Sequence, residues 1–446
     1  MTDRGAEPGQ RRSPDEPAPG RGGPARDSVR AWVVVAAAFV ALFTVFGVAF
    51  SFGAFFGPIA AEFRTGRAAA SGVFSLTSLL YFTLGAASGP AADRLGPRPL
   101  LLAGAAAFGL GLAATTVADR LWIAYLTYGA GVGLGVGCTY VPIIAAVGGW
   151  FERRRALAVG VAVSGIGLGT LAAAPLAAGL IDAYGWRTTY LLFAVAGSTV
   201  LVASALLVAA PPGERASGRQ GTGAAIRTPA YGWLYLSNLL LCLVLFVPFV
   251  HLPAFAEDAG VVATAAAGLV GIIGAASVIG RIVLGGVADH AGPLRAYRVS
   301  FLLIGMSFAL WWVDDGFWLL AAFAAVLGVG YGGFVALSPV VLAEYFGVDR
   351  LGGLLGVLLT ANGVGSALGP PAVGFVVDAT GSYTPAIASL ILLGLAGGAL
   401  ARHRIEVAGL VGLPGNSLPS LSAIHSATPM RASRSIPVSC PMPRKR

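Results

Sequence analysis

From Ala31 to Ala61 no charged residue interrupts the chain, and the run is closed only by Glu62. A helix needs about 20 apolar residues to cross the hydrocarbon of a bilayer, so this segment is long enough to span. Comparable runs recur at roughly 68–90, 99–118, 121–149, 156–181, 188–210, 231–256, 262–288, 296–313, 316–343, 351–377 and 383–401. Twelve such segments predict an all-α membrane protein of twelve transmembrane helices. Composition agrees, because only 11% of residues are charged and 56% are hydrophobic, whereas a soluble domain carries about 25% charged residues. The 64 glycines suit close helix packing in lipid. Residues 1–29 are rich in Pro, Gly and Arg and read as a disordered tail. No short apolar core with a small-residue cleavage site follows them, so the first helix reads as retained rather than removed as a signal peptide.

The net charge of +9 raises nucleic acid as a partner. No basic stripe with interleaved aromatics supports it, and the charges are those of loops beside membrane helices. Cys138, Cys242 and Cys440 are too dispersed for a disulfide framework or a metal site. The four histidines are also far apart, and no nucleophile–base set is visible, so neither an enzyme, a metal nor a cofactor is implied. Membrane lipid is the expected surrounding partner.

Loop charge sets the expected orientation, because Lys and Arg concentrate on the cytoplasmic side. With both termini inside the cell membrane, Arg94, Arg98, Arg153, Arg154, Arg155, Arg215, Arg219, Arg227, Arg295, Arg298 and Arg350 are cytoplasmic. Only Arg64, Arg67, Arg120 and Arg187 face out, and Asp119, Glu257, Asp258, Asp314 and Asp315 mark outer loops.

The chain also repeats. GPAADRLGPRP at 89–99 matches GGVADHAGPLR at 285–295, with Asp93 paired to Asp289 at an offset of 196 (289 − 93). Pro175 and Pro371, Asp182 and Asp378, and Gly185 and Gly381 keep the same offset. One offset holding at two distant places predicts two parallel, pseudo-symmetric six-helix halves. They are expected at 30–210 and 230–401, joined by a polar cytoplasmic linker at 211–229, with a second disordered tail at 402–446.

Two segments carry a family resemblance. Gly89, Asp93, Arg94, Gly96 and Arg98 resemble the major facilitator signature G-x-x-x-D-R-x-G-x-[RK]. The glycines allow a tight turn, and Asp and Arg can pair across helix ends to latch one conformation. The second copy keeps Gly285, Asp289 and Gly292 but has His290 in the Arg position. Trp150, Phe151, Arg153, Arg154, Gly160 and Gly165 resemble the signature of the monocarboxylate porter group, which includes oxalate:formate antiporters. The stretches Arg30–Val34, Ser51–Pro58 and Leu368–Tyr383 are similar to that group as well. The resemblance covers about residues 30–401 and implies the major facilitator fold and transport of organic anions. It departs in four places, the first being Val29-Arg30 where the family has an acidic–glycine pair. Phe50 and Asn362 stand where relatives carry lysines, and Ser277 stands where mammalian members have an Asp. One fewer buried positive charge favours a monoanion over a dianion.

Nearly every charge lies in a loop or at a helix end. Arg281 is the exception, eight residues before Asp289 and so about 12 Å deep in its helix. A charge there is costly unless it faces a cavity, and a guanidinium fork matches a carboxylate bidentately. The resemblance also implies a substrate-binding Arg at this position. A structural arginine satisfied by carbonyls or lipid phosphates is the other reading. Asn362, Tyr140 and Tyr331 are the accompanying candidates for substrate contact, each otherwise a packing residue. His251 is the proton-coupling candidate, since an unperturbed imidazole titrates near 6.5; otherwise it bonds a backbone carbonyl near a helix end.

The resulting expectation is a secondary transporter for small organic anions, chiefly monocarboxylates, working by alternating access with proton coupling. No carboxylate lies inside a span to support that coupling. Drug or sugar efflux within the same fold is the alternative.

Overall fold

The computed structural model describes residues 28–151, 154–210, 223–313, 316–347 and 351–411. Arg153 of the basic signature, Asp314, Asp315, Arg350, most of the expected linker and most of both tails lie outside these residues.

Among the described residues every regular element is a helix. α1 covers Val29–Glu62, broken at Ser51. α2 is Arg67–Leu95, α3 Pro97–Thr115 and α4 Leu121–Trp150, the last with a π-helical stretch at Tyr125–Ala130. Arg155–Leu207 forms α5 and α6, which meet at Gly185 (φ 78°, ψ 159°) and so divide into 155–184 and 186–207. α7 is Pro229–Asp258, broken at Phe246, and α8 is Ala263–Ala291. α9 is Pro293–Val313, α10 Phe317–Phe346, α11 Leu351–Thr380 and α12 Thr384–Val411. With α5 and α6 taken as one, ten helices are long and apolar enough to cross a membrane, and α12 adds the shorter apolar stretch Thr384–Leu400. α12 runs past the expected boundary at 401 because no proline or glycine stops the chain before Gly409.

Local chemistry explains several boundaries. Proline opens α3, α7 and α9, where its missing N–H costs nothing. Thr228 caps α7 by accepting the Tyr231 N–H. Gly96 and Gly292 close α2 and α8 at φ 85° and 91°, a region that side chains with a Cβ avoid.

The 196-residue offset runs through the backbone. α2 and α8 begin at Arg67 and Ala263, and α4 and α10 end at Trp150 and Phe346. Six of the seven described residues with positive φ pair likewise, Arg64 with Gly260, Gly96 with Gly292 and Gly185 with Gly381, while Gly347 corresponds to the extended Phe151.

The halves meet along α2–α11 and α5–α8, and the second segments of α1 and α7 touch. Small residues allow these approaches, since lipid supplies no hydrophobic drive between helices. A Cβ on Gly167 would lie 2.5 Å from the Gly274 carbonyl, and one on Gly374 would lie 2.5 Å from the Ala68 nitrogen. Toward the face that carries the 89–98 loop the seams loosen: a Cβ at Gly356 reaches Ala86 only at 3.5 Å, and one at Gly160 or Gly352 meets nothing within 4 Å.

Candidate substrate site

Arg281 stands well inside α8, where α10 backs it at backbone distance. A methyl group at Gly332 would overlap the Ser277 carbonyl and reach 2.9 Å from the Arg281 nitrogen, and one at Gly280 would overlap the Val329 carbonyl. Ser277, one turn before Arg281, is buried and donates to Gly274 O at 2.7 Å, and it offers Arg281 no charge. The side chain crosses to the other half instead. Nη1 donates to the Val163 carbonyl of α5 at 2.9 Å, while Nε and Nη2 are buried without a partner. Those two N–H groups form one edge of the guanidinium, the edge on which a carboxylate makes two parallel bonds. Buried donors are paired in the great majority of cases, so an open edge on a buried cation is unusual.

The fold brings two of the sequence candidates to this charge. The hydroxyls of Tyr140 on α4 and Tyr331 on α10 both lie within its electrostatic reach. Tyr331 is only 8% exposed, and Tyr140 is partly exposed. Tyr81 on α2, which sequence reasoning missed, interacts with both phenols. Phe46 holds Tyr81 and Tyr140 edge-on at 5.7 and 5.4 Å, and Phe249 holds Tyr331 at 5.9 Å. Only the tertiary fold gathers these rings from five helices. Asn362 is buried on α11, and its Oδ1 has no partner. It lies on the α2–α11 seam, next to Gly363, which faces Phe82 and Leu79.

His251 has a different neighbourhood. It is fully buried near the end of the molecule opposite the 89–98 loop, with Nε2 bonded to the Pro370 carbonyl at 2.9 Å and Nδ1 to the Tyr383 hydroxyl at 3.2 Å. The carbonyl bond expected of a histidine near a helix end is therefore present, and a second partner accompanies it. Tyr383 also accepts from Arg67 Nη1, and Arg67 Nη2 pairs with Asp258 at 2.6 Å. The Asp378 carboxylate accepts the Arg67 and Ala68 N–H groups at 2.9 and 3.0 Å, capping α2 from α11. This cluster joins the halves, and its members are up to 316 residues apart in sequence.

The signature residues divide by role. Trp150 donates to the Ala209 carbonyl at 2.9 Å, and Phe151 meets Trp32 edge-on at 5.2 Å, so both tie α4 to neighbouring helix ends. Gly165 lets α5 approach the Phe39 carbonyl of α1, whereas Gly160 faces open space. On the 89–98 face Arg94, Arg98, Arg154 and Asp289 are exposed. His290 is also exposed and bonds the Gly286 carbonyl of its own helix at 2.9 Å. Gly89 faces Val141, and a Cβ on Gly285 would meet nothing. The ion pairs joining described residues, Arg67–Asp258 and Arg187–Glu62, lie at the opposite end.

Known proteins resemble this arrangement. The model of the Major Facilitator Superfamily matches residues 37–313 and 289–409. Monocarboxylate transporter 3 of Rattus norvegicus is 31% identical over 385 residues, covering 82% of this chain and 78% of its own. Monocarboxylate transporter 13 of the same species is 31% identical over 369 residues, covering 81% and 85%. Among solved structures, a bacterial homologue of the human lysosomal transporter Spinster, in an inward-facing and unoccupied conformation, superposes with a TM-score of 0.66. At 15% identity, over 86% of this chain and 94% of that one, the likeness is one of fold.

Proposed function

Because the chain belongs to the Major Facilitator Superfamily and is a multi-pass membrane transporter related to the monocarboxylate transporters, we propose that it carries small organic monoanions and binds their carboxylate on Arg281. The observation that carries this reading is the open Nε–Nη2 edge. A neutral cargo would leave a buried cation short of partners, a costly arrangement. A carboxylate completes it with two charge-assisted bonds. Tyr140 and Tyr331 supply hydroxyls beside that carboxylate, and Asn362 is a further contact once the two halves move. Its amide can present either oxygen or nitrogen by a half-turn.

The position of Arg281 also suits alternating access. The residue belongs to one half and its carbonyl partner Val163 to the other. Rocking of the halves then exchanges the Val163 contact as the cargo is exposed to one side and the other. The likeness to monocarboxylate transporters supports the same cargo class. Loop charge supports both termini in the cytoplasm of the cell membrane, with the 89–98 face inside. A reporter fused after Arg402 that reads the outside would overturn that orientation. Apolar side chains such as Leu110 and Ile282 are exposed on the helix surfaces and meet lipid.

Uptake of labelled lactate, pyruvate, acetate and oxalate into proteoliposomes tests the site. Removing one partner of a buried charged pair costs about 2–5 kcal/mol, a loss of roughly 30-fold or more. Arg281→Ala is expected to lose at least that while still reaching the membrane. Arg281→Lys retains little, because an ammonium keeps the charge but not the fork. Normal anion uptake by Arg281→Ala, or a wild type that moves only neutral or cationic solutes, refutes the assignment.

A further inference from the structure

The cluster around His251 has a hydrogen-bond direction. The Pro370 carbonyl can only accept, so Nε2 of His251 carries a hydrogen. In the neutral ring Nδ1 is then an acceptor, and the hydrogen in its bond with Tyr383 comes from the phenol. The Tyr383 oxygen in turn accepts from Arg67. The chain reads Arg67 to Tyr383 to His251 to Pro370, every member donating in one direction. It fits one protonation state of the imidazole.

The surroundings define what a further proton would do. α2 contributes Arg67, which also lies across the Tyr383 ring at 5.2 Å. α11 contributes Asp378, whose two oxygens are taken by the start of α2. α7 itself contributes Glu257 and Asp258, the latter paired with Arg67. α1 presents the Phe56 ring at 5.1 Å, and α8, which packs on α7, buries the apolar Ala266, Leu269 and Val270 in its first half. A second ring proton on Nδ1 would point a donor at Tyr383, leave the phenol hydrogen without an acceptor and set an imidazolium opposite Arg67. Of the carboxylates that would offset that charge, Asp378 and Asp258 are already engaged.

We infer that His251 is a proton-binding site that controls the latch between the halves on the face opposite the 89–98 loop, the outer face in the orientation proposed above. Binding a proton breaks the Arg67–Tyr383–His251 chain and so loosens α2 from the start of α12, leaving the Asp378 cap and the Arg67–Asp258 pair to hold that face. By linkage the open form binds the proton better, so acid enlarges the open population. This goes beyond the cargo assignment, since the latch shares no residue with the Arg281 site.

The test measures distance across that face. Spin labels go at Val117→Cys and Trp318→Cys, which are 81% and 83% exposed on opposite halves, with the three native cysteines replaced by alanine. Pulsed electron–electron distance measurements in nanodiscs then compare about pH 8 with about pH 5.5, on either side of the ordinary histidine range. The long-distance, open fraction in the wild type is expected to rise about threefold or more with acid. His251→Gln, whose amide can donate to Pro370 and accept from Tyr383, should stay closed at both pH values. Tyr383→Phe should already be open at pH 8. Arg281→Ala should keep an acid-dependent rise in the open fraction, on whatever baseline loss of the Val163 bond sets, which separates failure of the latch from failure of the anion assignment. An unchanged distribution in the wild type, an acid response surviving in His251→Gln, or a Tyr383→Phe protein indistinguishable from wild type overturns the inference.

Discussion

In the first half, Leu84, Val132 and Val136 correspond at the 196-residue offset to Gly280, Gly328 and Gly332, which line the α8–α10 seam of the second. Both seams use glycine, but α4 approaches α2 through Gly133 and Gly137, where an added Cβ would come no closer than 2.9 Å to Leu80, Thr77 or Leu84, whereas at the α8–α10 seam a Cβ on Gly280 or Gly332 would overlap the facing carbonyl. The site charge follows the same division, because Arg281 in α8 corresponds to Gly85 in α2. At the opposite end, Glu62 pairs with Arg187 inside the first half at 3.0 Å. Their counterparts are Asp258 and Tyr383. There the cation is missing, and Arg67 reaches over from the first half to supply it. Similarly, Asp378 and Asp182 are both exposed, but Asp378 accepts two N–H groups at the start of α2, whereas α8 begins at Ala263 with no side-chain cap from its N-cap Val262. The same backbone repeat thus holds a self-sufficient half and one that needs its partner. Two halves that must separate and rejoin gain from bonds that exist only when they are together.

The largest expected effect comes from erasing the seam difference. Gly332→Val gives α10 the residue that α4 has at this place, and its side chain would overlap the Ser277 carbonyl. Overpacking typically costs about 1–3 kcal/mol and sometimes more. Because the displaced backbone carries Arg281, anion uptake should fall at least about 100-fold, as for loss of a buried charge contact. The reverse change, Val136→Gly, should leave uptake within about threefold while lowering thermal stability through a cavity. Equal losses in both would show that the two seams are equivalent.

A smaller effect separates the two aspartates. Asp378→Ala removes a charged cap from two N–H groups, worth about 1–2 kcal/mol. It should lower the melting temperature and loosen the α2–α11 end. Asp182→Ala should stay within about 0.5 kcal/mol, as exposed substitutions do. Matching shifts in detergent melting curves would break the comparison.

The smallest effect concerns the ion pairs. Arg187–Glu62 is exposed on both sides and lies within one half, so Glu62→Gln should change stability by less than about 1 kcal/mol and leave exchange rates alone. Arg67→Gln removes a contact that exists only in the closed arrangement. It should shift the open fraction about threefold to fivefold in the same distance measurement. If Glu62→Gln shifts that fraction as much, crossing between halves is not what matters.

Much of this was legible in the sequence. Length and apolarity set the helices, and the offset between Asp93 and Asp289 ran on through helix starts, breaks and left-handed turns. Arg281 stood out as a lone charge in an apolar run, because burying an unpaired cation is expensive enough that its position carries information. The latch did not stand out. Arg67 and Asp258 read as ordinary outer-loop charges, Asp378 and Tyr383 entered only through the repeat and the resemblance, and one clue lay in the repeat, where Tyr383 replaces the cation Arg187.

What the sequence determined by itself is local or periodic: which segments are helical, where they stop, that there are two similar halves, and which single charge lies deep. These follow from backbone satisfaction in lipid and from the cost of a charge there, which depend on a residue and its near neighbours in the chain. Tertiary structure decided the rest. It placed Val163 on one edge of Arg281 and left the other open, gathered Tyr140 and Tyr331 around that charge with Tyr81 beside them, and gave His251 two partners of fixed direction. Each of these joins groups more than 100 residues apart or on different helices. Their meeting is set by how closely glycine and alanine let whole helices approach, a property of pairs of surfaces that no single segment specifies.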